Sequence, residues 1–198
     1  MPDQTIDLEH PVLYKEKLAS SQEVKDKIDE LATTIIREFK DKDPLFVCLL
    51  RGGMPFATQL MFAITRQDPY FNPELDYITV SRYGNSQIAS EPRIVMDLSH
   101  KSTTTDRTII ILDDLIDKGG TYLFTKKHLE NKGASNVYLA VLVQRELEKP
   151  RGFDADFYCI SVKSEEWFVG MGMDDTRLGV EAHRWTDYIA IANSPSDL

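Results

Sequence analysis

The sequence predicts an α/β fold, with a mainly parallel twisted sheet flanked by helices. Three observations carry that prediction. Apolar runs of strand length at 45–50, 108–112 and 137–143 show no polar alternation, as expected of strands buried on both faces. Segments of helical periodicity stand between them, so strand and helix alternate through the middle of the chain. Candidate loops follow the strands ending near residues 50, 81 and 112, and ligands in such folds sit beyond the carboxyl ends of strands.

Taken in order, residues 21–40 carry Val24, Ile28, Leu31, Ala32, Ile35, Ile36 and Phe39 on one helical face, with Ser20 or Ser21 as N-cap. The strand at 45–50 turns at Arg51-Gly52-Gly53. Pro55, at the first helical position, opens a helix to about Arg66. A strand at 75–81 leads into a long excursion, 83–106, with one strand at 93–98; it is the candidate for a flexible lid over the site, with a surface hairpin as the alternative. The strand at 108–112 feeds a helix that ends near Lys132-Gly133, a basic last turn and a glycine stop. Strands at 137–143, 157–162 and 188–192 complete the chain.

The 198 residues favour one domain with a small appendage. No apolar run reaches the roughly 18 residues of a membrane span. The first residues lack a basic and then apolar leader, so no signal peptide is expected. Cys48 and Cys159 each lie in an apolar run, the pattern of buried free thiols in a reducing cytoplasm. The four histidines show no metal-ligand spacing, and no internal repeat is present. A net charge of −9 argues against a general nucleic-acid binder. It does not argue against a small anionic ligand, which feels the local field.

The stretch from Thr108 to Tyr122 carries the most chemistry. An apolar strand is closed by Asp113 and Asp114; Asp117 follows, then Lys118, Gly119, Gly120 and Thr121, then a helix with Leu123, Phe124 and Leu129. Strand, acidic turn, glycines and helix start are how a phosphate is held, by free backbone N–H groups and the helix dipole. The glycines allow close backbone approach. Carboxylates should repel a phosphate, so the ligand should also carry vicinal ribose hydroxyls or a metal ion.

That segment resembles the phosphoribosyl-pyrophosphate (PRPP) signature of the type I phosphoribosyltransferases. Leu50-Arg51-Gly52-Gly53 resembles the pyrophosphate loop of the 6-oxopurine members, which act on hypoxanthine, guanine or xanthine. Ser81-Arg82-Tyr83-Gly84-Asn85 is similar to their mobile catalytic loop. Trp167-Phe168-Val169-Gly170 with Asp174 is similar to their base-stacking segment and metal-binding aspartate. Glu181-Ala182-His183-Arg184 is similar to their closing segment. The resemblance runs in order from about Val12 to Ala192.

The resemblance implies a 6-oxopurine salvage transferase that uses PRPP and Mg²⁺ and releases pyrophosphate and a nucleoside monophosphate. It implies a core at about 21–145 and a small hood from 1–20 and 146–198. Asp117 would be the catalytic acid or base at the purine N7. Asp113 and Asp114 would hold ribose hydroxyls and help with the metal. Lys118, Gly119, Gly120 and Thr121 would cradle the 5′-phosphate, with Lys118 either on the phosphate or in solvent. Arg51 and Gly52 would bind pyrophosphate, in the family across a non-proline cis bond. Ser81 and Tyr83 would cover the PRPP, Arg184 would bind it, and Asp174 would hold Mg²⁺. Trp167 and Phe168 would line the base site, and Gln144, where the family has lysine, would donate to the base O6; Lys149 is a substitute. A homodimer or homotetramer in the cytoplasm is implied, with neither nucleic acid nor membrane as partner. Met54, Phe56, Leu60, Met61 and Phe62 offer more apolar surface than one helix face buries. Two rivals stand beside this reading, a transferase for another base and a PRPP-sensing regulator. The acidic composition and the presence of Asp117 count against the regulator.

Overall fold

The computed structural model describes residues 14–83, 89–175 and 183–193. Its main sheet joins β2 (Leu45–Leu50), β3 (Glu74–Tyr83), β4 (Ala89–Met96), β5 (Thr108–Ile116), β6 (Asn136–Arg145) and β7 (Phe157–Val162) in the order β4-β3-β2-β5-β6-β7. Every pairing is parallel except β3 with β4. A second sheet of β1 (Tyr14–Ala19), β9 (Ile189–Ala192) and β8 (Phe168–Val169), in the order β1-β9-β8, is antiparallel. β1 and β8 have no counterpart in the sequence reading. β1 carries three consecutive exposed charged residues, Lys15, Glu16 and Lys17, that blur any alternation, and β8 is two residues long. The range expected for the hood also includes β7, which the parallel pairing with β6 places in the main sheet.

The central strands are buried on both faces, as their unbroken apolar runs require. Phe46, Cys48, Ile110 and Leu112 meet α1 (Ser21–Phe39) and α2 (Met54–Gln67). Leu45, Val47, Ile109 and Ile111 meet the face that carries α3 (Gly120–Asn131). α1 is held at its start by a capping box: the Ser20 hydroxyl accepts from the Glu23 N–H, and the Glu23 carboxylate accepts from the Ser20 N–H at 2.8 Å. Phe168, Met171, Met173, Ile189 and Ile191 from the small sheet and its loops join the same core cluster as α1 and α2. The small sheet is thereby fixed over the carboxyl ends of β5 and β6. Phe56 and Leu60 are fully buried in the chain's own core, and Met61 packs against it. Met54 and Phe62 remain exposed. Both cysteines are free, and burial pushes each thiol up to about 12, so both stay protonated.

In its described part the excursion after β3 is strand over Ala89–Met96 and turns and irregular chain over 97–106. β4 runs back along β3, and Pro92 is tolerated because β4 is an edge strand. The expected strand at 93–98 therefore begins earlier and ends earlier, and the expected long lid is reduced by a hairpin; residues 84–88 and the Tyr83 side chain lie outside the described part. Just past β4, Asp97 ties the hairpin to the end of α3. It accepts from Lys132 Nζ at 2.8 Å and lies 3.0 Å from His128 Nε2. Burial works to raise this carboxyl, but bonds from Lys132, His128 and the Leu98 N–H together lower it to about 2. A depressed carboxyl stabilises the fold above its unfolded pKa, and that contribution is lost as pH falls toward the folded value. Asp97→Asn is therefore expected to lower stability at pH 7 by about 1 kcal/mol or less, as for a partly exposed pair. Its unfolding free energy should also fall less steeply than the wild type's between about pH 4 and 2. Urea titrations across that range check both.

Candidate active site

β5 does not stop at Leu112. It continues through both aspartates to Ile116, because β6 keeps pairing with it, Asp113 opposite Val141 and Ile116 opposite Gln144. The expected acidic turn is thus a strand end, and successive side chains there point to opposite faces. Asp113 lines a cavity of about 300 Å³ with Asp117, Lys118, Gly119, Gly120 and Thr121. Asp114 lines a neighbouring cavity of about 390 Å³. Both contribute to a third, of about 280 Å³. Burial raises both carboxyls. The charge of Asp114 adds to the rise at Asp113, whereas bonds from Asp113 and the Leu115 N–H, with Arg184 nearby, restrain Asp114.

The first cavity has the geometry of an anion cradle. α3 begins at Gly120 with no side-chain cap, so its first N–H groups are left for a ligand. Gly119 has φ +75°, a left-handed angle that glycine adopts without cost. A Cβ there would also come within 2.4 Å of the Phe153 ring. Lys118 is exposed and borders both this cavity and the next.

The third cavity is bordered by Leu50, Arg51, Gly52, Asp113, Asp114, Thr121, Asp174 and Arg184. The Leu50–Arg51 peptide is cis, the bond the motif led one to expect. Gly52 lies flush against Asp114, whose Oδ2 would be 2.3 Å from a Cβ at that position. Arg184 is brought in beside Asp174, and its Nη2 sits 2.6 Å from Asp174 Oδ2. Ser81 lies two residues before the end of the neighbouring strand β3 and does not border these three cavities.

The second cavity lies between the other two and the small sheet. Asp114, Leu115, Asp117, Lys118, Arg145, Trp167, Phe168 and Asp174 are among its walls. Trp167 is 42% exposed, and its Nε1 donates to the Asp174 carbonyl at 2.7 Å. Phe168 is buried beneath the Arg145 guanidinium, which lies 4.4 Å from its ring centre.

Here the sequence reading needs correction. Gln144 does not face this cavity. It is buried on the opposite side of β6, where its Oε1 accepts the Ala155 N–H at 2.8 Å, and it borders a separate hollow formed by the β6–β7 connection. Its neighbour Arg145 faces the cavity instead. The guanidinium donates to the carbonyls of Ser164 and Glu166, and Nε lies 3.5 Å from Asp117 Oδ1 without a hydrogen bond of its own. In a strand, a shift of one residue exchanges the faces. The signal was present: Arg145 would be a costly side chain to bury without a site to face. Lys149, the other substitute, is exposed and borders none of these cavities.

Asp117 and Lys118 border the first and second cavities, Asp113 and Thr121 the first and third, Asp114 and Asp174 the second and third. The three therefore form one continuous site. Among the described residues no three His, Cys, Asp or Glu side chains converge to cage a metal ion unaided.

Comparison with known proteins agrees with this geometry. The sequence profile of the phosphoribosyl transferase domain matches residues 15–176. The hypoxanthine-guanine phosphoribosyltransferase of Streptococcus thermophilus is 31% identical over 161 residues, 81% of this chain and 85% of that protein. The enzyme of the same name from Bacillus subtilis is 30% identical over 175 residues, 88% of this chain and 91% of that one. Among solved structures, a hypoxanthine-guanine phosphoribosyltransferase of Bacillus anthracis superposes with a TM-score of 0.77 at 24% identity, covering 91% of this chain and 99% of the other. That likeness speaks to the fold. The chain thus belongs to the phosphoribosyl transferase family, and within it to the purine phosphoribosyltransferases.

Proposed function

We propose that this enzyme transfers the 5-phosphoribosyl group of PRPP to N9 of hypoxanthine or guanine. The observation that carries the reading is the continuous site, in which an anion cradle meets an aromatic-walled cavity at Asp117, and a second charged cavity meets it at Asp114 and Asp174. In this reading the N–H groups from Lys118 to Thr121 hold the 5′-phosphate, Asp113 and Asp114 accept from the ribose hydroxyls, and Arg51, Gly52 and Arg184 face the diphosphate. The C1′–oxygen bond to pyrophosphate breaks, N9 bonds to C1′, and the base gives the proton on N7 to Asp117. Trp167 and Phe168 wall the base and exclude water that would hydrolyse PRPP.

Mg²⁺ fits the donors present. It is commonly held by one or two carboxylates together with substrate phosphates, not by an all-protein cage. Asp174, with Asp113 and Asp114 beside it, supplies such carboxylates at the third cavity. Bound there, the ion would neutralise charge on the departing diphosphate. Assembly as a homodimer or homotetramer is part of the same reading, with Met54 and Phe62 as the exposed apolar residues on α2. A cytoplasmic setting also follows the resemblance; among the described residues no helix is long and apolar enough to cross a membrane.

Arg145 is the residue we assign to the base O6, since its guanidinium retains N–H groups beyond those given to Ser164 and Glu166. A hydrogen bond to a charged donor contributes about 1.5–3 kcal/mol, so Arg145→Met is expected to raise the KM for hypoxanthine and guanine roughly 10-fold to 100-fold. The KM for PRPP should stay near the wild-type value. Steady-state assays with the two substrates varied separately check this, with wild type tested against hypoxanthine, guanine, xanthine and adenine. Unchanged purine KM values in the variant would remove Arg145 from base recognition, and wild type that used only adenine would overturn the assignment of base.

A further inference from the structure

The connection between β6 and β7, residues 146–156, is longer than the roughly two to six residues usual for such loops. Its centre is Arg151, whose side chain is only 5% exposed although the residue lies in a loop. The guanidinium is spent on main-chain carbonyls. Nη1 donates to the Asp117 carbonyl at 2.7 Å, Nη1 and Nη2 both reach the Arg145 carbonyl at 2.8 Å, and Nε donates to the Phe153 carbonyl at 3.1 Å. Asp154 Oδ1 lies 3.7 Å from Nη2.

The two main-chain partners outside the loop are Asp117 and Arg145. Their side chains face each other at 3.5 Å beside the base cavity. Arg151 therefore joins at their carbonyls the two residues that converge on the base at their side chains. The same loop lays Phe153 against Gly119, so that ring sets the back of the anion cradle. Arg151 itself does not border the base cavity.

We infer that Arg151 is a positioning residue for base transfer: it sets the separation of Asp117 and Arg145, and hence the place of the base between them. The inference rests on the reading of the site given above. A planar fork suits the task. Its fixed N–H directions hold the two carbonyls in one set geometry, which the rotatable donors of an ammonium fix less firmly. Misplacement of a reacting group by about 1 Å can cost roughly 100-fold in rate.

The test uses wild type, Arg151→Met and Arg151→Lys, with kcat and both KM values measured well below each protein's melting temperature. Arg151→Met should lower kcat about 10-fold to 100-fold and raise the base KM, with the PRPP KM changed by about twofold or less. Arg151→Lys, which keeps the charge and three rotatable donors, should recover part of the loss. A purely structural residue would lower stability without that split between substrates. Wild-type kcat in Arg151→Met, or equal loss toward both substrates in step with melting temperature, would overturn the inference. If Arg151→Met does not fold, the same split or its absence in Arg151→Lys decides. A wild-type enzyme that forms no nucleotide from any purine would overturn the underlying reading instead, and so is told apart from an active wild type whose variants show no split.

Discussion

Asp117→Asn is expected to lower kcat roughly 10²–10⁴-fold, the range for loss of a general acid–base group. Asparagine has nearly the same shape, and Asp117 is exposed at the loop after β5, so no core packing is lost. Its carbonyl bond from Arg151 does not involve the side chain and should survive. What disappears is the capacity to take a proton from the base. Asp117 is suited to that role because it borders both the anion cradle and the aromatic-walled cavity. The KM for PRPP should change little, since the cradle N–H groups and the acidic pair are untouched. Near-normal kcat in a folded Asp117→Asn protein would remove this residue from the mechanism.

Gly119→Val should abolish nucleotide binding while leaving the fold intact. Two independent obstacles act there. The backbone has φ +75°, an outlier for any β-branched residue. The Cβ would also stand 2.4 Å from the end of the Phe153 ring, which itself packs on Tyr122 at 5.5 Å. The loop or the ring must move, and the N–H groups at the start of α3 lose their aim. Hydrogen bonds to a charged phosphate contribute about 1.5–3 kcal/mol each, so losing two weakens a nucleoside monophosphate about 100-fold or more. Calorimetric titration with inosine or guanosine monophosphate measures it, and circular dichroism checks the fold. Normal binding by the folded variant would locate the cradle elsewhere.

These two residues were legible in the sequence because local pattern and global fold agree there: a buried strand, a glycine pair and a helix start occur in one short stretch. The same is true of α1, whose apolar period and Ser20 cap match the observed helix. Other features depended on information that periodicity does not carry. β8 is too short to show a period, and β1 alternates too weakly. The continuation of β5 through Asp113 and Asp114 is set by pairing with β6, a long-range contact that outweighs the turn-like look of adjacent acids. Gln144 and Arg145 differ by one position, and only the register of β6 decides which of them faces the aromatic-walled cavity. Arg151 was invisible for a related reason: its partners are main-chain carbonyls, which leave no mark on sequence.

The central claim is that the joined cavities carry phosphoribosyl transfer to a 6-oxopurine. The most direct measurement is pyrophosphate release from PRPP with Mg²⁺, followed with and without hypoxanthine, with the nucleotide product identified by mass. The account predicts release that depends on the base and matches inosine monophosphate mole for mole. Release at the same rate without any base, or no release with any 6-oxopurine while another base is consumed, would contradict it.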